Sequence, residues 1–158
     1  MQHSLTVQTG IQARTGNRPL PSILATPTLD EFETLILWGM RQWMHAHKER
    51  RCATGSVLDA FEFSGLVPAL APLNRMMTLL ILGSRRRLAI ATIETAPLSI
   101  DEQLLLRILN AARQRQMDLV ESRLGMWMEQ VSVQATAQAA MLLAQAAFSS
   151  PAAVGAHA

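Results

Sequence analysis

The run Met76-Met77-Thr78-Leu79-Leu80-Ile81-Leu82 constrains the fold more than any other stretch of the chain. Six of its seven side chains are apolar, and no charge interrupts it between Arg75 and Arg85. A helix apolar on every side has to be covered by other elements. The run is too short to cross a bilayer, which takes about 20 apolar residues. Met and Leu dominate it and only Ile81 is β-branched, which favours a helix over a buried strand. Pro72 suits a first turn, and Gly83 suits the position just past a helix end. These signals predict a central helix over Ala71–Leu82, starting as early as Pro68, against which the other elements pack.

The rest of the chain supports an all-α reading. With 158 residues it suits one domain, enough to bury roughly 68–70% of its unfolded surface. Aromatic residues make up 4% and Tyr is absent, so Leu, Met and Ala must fill the core. The expectation is a compact bundle of four to five helices around the buried central helix, spanning 28–148. Flexible tails are expected at 1–27, where Pro19, Pro21 and Pro27 prevent a sustained helix, and at 149–158, which is small-residue chain.

Thr28-Leu29-Asp30-Glu31 reads as a capping box opening the first helix. Phe32, Ile36, Gly39, Trp43 and Ala46 then recur at helical spacing, flanked by Leu35 and Trp38. Acids gather at its start and Lys48, Arg50 and Arg51 at its end, as the helix dipole favours. After a break at Thr54-Gly55, Ser56 caps a short helix over Val57–Phe63. Ser64-Gly65 ends that helix.

Beyond the central helix, residues 88–95 form the only strand-like stretch. Leu88, Ile90 and Thr92 would share a face, but a lone strand needs a partner. The stretch is therefore an extended connector or half of an intermolecular ribbon. Ser99-Ile100-Asp101-Glu102 is a second capping box, and one long helix is expected from Ile100 to about Arg123. Its stripe is Leu105, Ile108, Leu109, Ala112, Leu119 and Val120, with Gln116 intruding and Gly125 marking a break. The final helix, about Met126–Phe148, has no charge after Glu129. One side is Val133, Ala137, Ala140, Met141, Ala144 and Phe148; the other is Gln130, Gln134, Thr136, Gln138 and Gln145.

Chemical motifs are sparse. A single cysteine, Cys52, rules out an intramolecular disulfide and suits a reducing compartment. His45 and His47, two apart on a helix, point about 200° from each other and cannot share an ion. Cys52 beside His47 and the nearby cations is a conceivable nucleophile without a local signature. The acid pairs Asp30/Glu31 and Asp101/Glu102 fall in capping boxes. No Gly-rich phosphate loop, HExxH or GxSxG occurs. Accordingly no enzyme activity, cofactor or metal is expected.

Three functions fit what is left. The first is a non-enzymatic protein–protein interaction module, an adaptor or regulatory subunit, with self-association inferred from the final helix. Its small-residue stripe (Val133, Ala137, Ala140, Met141, Ala144, Phe148) allows close helix approach, so a homodimer seam is expected there. The alternative is a small DNA-binding regulator using Arg85, Arg86 and Arg87, which would contact phosphates. The short helix, Gly65 turn and central helix have a helix-turn-helix outline, but a recognition helix needs an exposed polar face. The third is an apolar-ligand sensor lined by Met76, Met77, Met126 and Met128. The N-terminus lacks the apolar core of a secretory signal, and no segment has membrane-span length, so a cytoplasmic location is expected.

Overall fold

The computed structural model describes residues 28–95 and 97–148. Within them lie six α-helices and no strand: α1 (Glu31–Lys48), α2 (Gly55–Phe63), α3 (Val67–Gly83), α4 (Ile100–Arg113), α5 (Met117–Gly125) and α6 (Gln130–Phe148). The described residues are thus all-helical, with more helices than the four to five expected. The flexible tails expected at 1–27 and 149–158 lie outside the described residues.

α1 starts with a capping box two residues later than expected. Asp30 accepts the Glu33 N–H at 2.7 Å, and Glu33 accepts the Asp30 N–H at 3.0 Å. Thr28–Glu31 has the same spacing, so local sequence does not choose between the two frames. Tertiary contacts do: Arg113 of α4 donates to Asp30 at 2.5 Å, and Asn110 donates to Glu33 at 2.6 Å. From this start α1 buries Ile36, Met40, Trp43 and Ala46, with Leu37 and Met44 beside them. Trp43 also donates its indole N–H to Asn74 of α3 at 2.8 Å.

Three helices end in the same motif, a left-handed residue followed by paired back-bonds. Gly65 (φ 68°) ends α2, with Leu66 N–H on Phe61 at 2.7 Å. Arg50 and Arg115, both at φ 57°, occupy the equivalent positions after α1 and α4. Ser56 is not a cap: it lies inside α2 and donates to the Ala53 carbonyl at 2.6 Å. The Gly55 N–H instead reaches Cys52 Sγ at 3.4 Å.

α3 takes the earlier of the expected starts, within one residue of Pro68, so Pro72 sits inside it and removes one backbone hydrogen bond. Met76, Met77 and Leu80 are fully buried. The helix is not covered all round, however. Ala71, Arg75, Thr78 and Leu82 follow one another at four- and three-residue steps along a solvent-facing stripe. α3 packs most extensively on α6. At Gly83 the approach is tight: a Cβ there would meet Ser132 Cβ at 2.5 Å and Met128 Cε at 2.9 Å. Glycine is needed for that approach, whereas the sequence suggested only a helix stop. The junction is fixed by Glu129 N–H on the Gly83 carbonyl (2.8 Å) and Arg85 N–H on that of Trp127 (3.0 Å).

The long helix expected over 100–123 is broken at Gln114–Gln116, where Arg115 turns left-handed. A straight helix of that length would run about 36 Å. The break lets α4 and α5 pack on each other and both on α6. α6 begins only at Gln130, after α5 has ended at Gly125 as the glycine suggested. No described helix is long and apolar enough to cross a membrane.

Candidate functional site

The stretch after α3 is an extended connector, and what it pairs with is the first turn of α4. Ala89 N–H donates to Asp101 at 2.7 Å and Ala91 N–H to Glu102 at 3.0 Å. Ser99 caps α4 as expected, accepting the Glu102 N–H at 3.1 Å, and its hydroxyl donates to the Ala89 carbonyl. Carboxylates thus take the place of a neighbouring strand. Ile90 is buried, Leu88 half-buried and Thr92 exposed.

Each of these carboxylates has an arginine. Asp101 is 1% exposed and takes two bonds from Arg86, at 2.5 and 2.8 Å. Arg86 hydrogen bonding holds Asp101 below the usual carboxylate range against the opposing effect of burial, with the Ala89 N–H assisting. Glu102, fully buried, takes Nε of Arg41 at 2.8 Å and Nη2 at 3.0 Å. Burial pushes its carboxyl up, but Arg41 and the Ser99 and Ala91 N–H groups outweigh this and hold it low. Arg41 also donates to the carbonyls of Thr95 (2.6 Å) and Pro97 (3.4 Å). It is a buried guanidinium at the hub of three chain segments. Sequence reasoning passed over it: two residues from both Gly39 and Trp43, Arg41 falls on the side of α1 opposite the expected stripe, and no local signal marked that side as buried.

The arginine triplet is divided by these contacts. Arg86 is tied to Asp101 and lies over the Trp127 ring at 5.7 Å. Arg85 is 3.4 Å from Glu129, both half-exposed. The Arg87 side chain has no hydrogen-bond or ion-pair partner among the described residues. All three line a cleft of about 590 Å³ that also receives His47 and Lys48 from the end of α1. The two basic stretches, far apart in sequence, therefore meet. α3 offers little to a DNA groove: its exposed face carries Arg75 and Thr78 between Ala71 and Leu82.

The small-residue stripe of α6 faces its own chain. Val133, Ala137, Ala140 and Ala144 are buried among α3, α4 and α5, and Met141 is half-buried. The Phe148 side chain lies outside the described residues. Small side chains here allow α3 to approach, so a second chain would have to use the opposite face. That face is Val131, Gln134, Gln138, Leu142 and Gln145, all exposed and uncharged. Thr136, placed on the polar side by sequence, is buried and donates to the Ser132 carbonyl at 2.8 Å.

Other candidates disperse. His47 stacks on Trp43 with centroids 5.1 Å apart, and His45 lies 3.2 Å from Glu49, so neither engages Cys52 in the contacts described. Among the described residues no three His, Cys, Asp or Glu side chains converge as a metal set. Met76, Met77 and Met128 are core while Met126 is exposed, so the four methionines line no common pocket. Comparison of the chain with protein-family models, curated proteins and solved structures finds no match.

Proposed function

We propose that the chain is a non-enzymatic helical interaction module, an adaptor or regulatory subunit of the cytoplasm, that pairs with a second copy of itself. In this reading α3 is the helix on which the bundle is assembled, and the outer face of α6 is the contact. The observation that carries it is the exposed row Val131, Gln134, Gln138, Leu142 and Gln145, on a helix with no charged residue in 19. A solvated helix face ordinarily carries charges. A two-fold contact sets a patch against itself, so any charge near the axis would meet its own like. A neutral row of amides and apolar side chains avoids that, and buried amides are tolerated when paired.

The test is light scattering on the wild type, Gln138→Lys and Leu142→Lys. Both substitutions lie on the outer face and leave the core untouched. A wild-type dimer and a folded monomer, by circular dichroism, for the variants would support the reading. A dimer indifferent to both changes would remove α6 as the contact.

A further inference from the structure

The geometry points to a binding site for a phosphate-bearing small molecule in the cleft between the end of α1 and the segment after α3. Five basic residues, His47, Lys48, Arg85, Arg86 and Arg87, line it, and no acid does. Their charges are unequally compensated. Arg86 is matched by Asp101, and Arg85 is only loosely opposed by Glu129 at 3.4 Å. Lys48 and Arg87 have no ion-pair partner among the described residues. The fold thus gathers like charges from two distant stretches at one concave place, where an anion would relieve their repulsion.

Size and lining narrow the ligand class. The cleft's 590 Å³ falls within the roughly 300–1,000 Å³ of small-molecule sites. Met44, Ile81 and Leu88 add apolar lining beside the cations. That combination suits a phosphate attached to an apolar or aromatic body, as in a nucleotide, better than a bare ion. Arg86, fixed by Asp101 and Trp127, supplies a rigid guanidinium, while Lys48 and Arg87 are free to close on the phosphates. A duplex is disfavoured because the exposed face of α3, the helix beside the arginines, carries Arg75 and Thr78 only between the apolar Ala71 and Leu82.

Isothermal titration of the full chain with ATP, inorganic tripolyphosphate and a short DNA duplex tests this. ATP is expected to bind more tightly than tripolyphosphate. Lys48→Ala and Arg87→Ala should each weaken ATP binding about tenfold, as loss of a charge-assisted bond does. Arg75→Ala, exposed on α3 away from the cleft, should leave it unchanged. Both cleft side chains are exposed and unpartnered, so the variants should keep the wild-type circular dichroism and melting temperature. No ATP binding at about millimolar concentration, where even weak affinity registers, would overturn the proposal. So would affinity indifferent to both cleft variants, or duplex binding that ATP does not compete away.

Discussion

Arg41→Met is the most revealing single change. Methionine fills similar length with apolar atoms but removes all four of the guanidinium's hydrogen bonds, two to Glu102 and one each to Thr95 and Pro97. Removing one partner of a buried ion pair costs about 3–5 kcal/mol, because the other charge stays behind uncompensated. Glu102 keeps the Ala91 and Ser99 N–H groups, which places the loss near the lower end, at about 3 kcal/mol. The pH dependence distinguishes this cause from simple cavity formation. In the wild type the Glu102 carboxyl titrates below its ordinary value of 4.5, so its contribution is present above that value and lost as pH falls through the lowered one. In the variant, burial is opposed only by two N–H groups and the carboxyl moves up. Its penalty is then full at neutral pH and is relieved as the solution is acidified toward the unfolded value. The difference in urea stability between the two proteins should therefore shrink from about pH 7 to about pH 4. A loss under about 1 kcal/mol, or a difference constant across that range, would refute the argument that Glu102 depends on Arg41.

Three further outcomes follow from local geometry. Asp30→Ala and Ser99→Ala should each lower stability by about 0.5–2 kcal/mol in denaturant titrations, while Thr28→Ala, outside the box, should change little. Gly83→Ala should cost about 1–3 kcal/mol by forcing Ser132 and Met128 away, as overpacking does, and a crystal structure of the variant would show α3 and α6 displaced. Arg50→Gly and Arg115→Gly should raise the melting temperature, each relieving about 1 kcal/mol of left-handed strain.

The helices were legible where periodicity and caps agreed. Ser99–Glu102 opens α4 as read, and the buried faces of α1 and α3 contain the expected Ile36, Trp43, Met76 and Leu80. Boundaries were lost where tertiary contacts decide. The α1 frame is chosen by Arg113 and Asn110, some 80 residues on, and the α4–α5 break falls in Arg113-Gln114-Arg115-Gln116, which contains neither Gly nor Pro. The cleft was invisible for the same reason: Lys48 and Arg87 meet only because α1 and α3 pack together. The α6 stripe was found, but periodicity alone does not say whether small residues meet the same chain or another. Arg41 is the instructive miss, since the capping box fully accounts for its partner Glu102 and uses the same carboxylate.

The central claim, self-association through α6, is tested most directly by sedimentation equilibrium of the wild-type chain over a range of concentrations. A reversible rise from the 17.4 kDa monomer to twice that mass is expected, reaching a dimer at tens of micromolar, an ordinary affinity for a modest interface. A single species at the monomer mass throughout that range would contradict it.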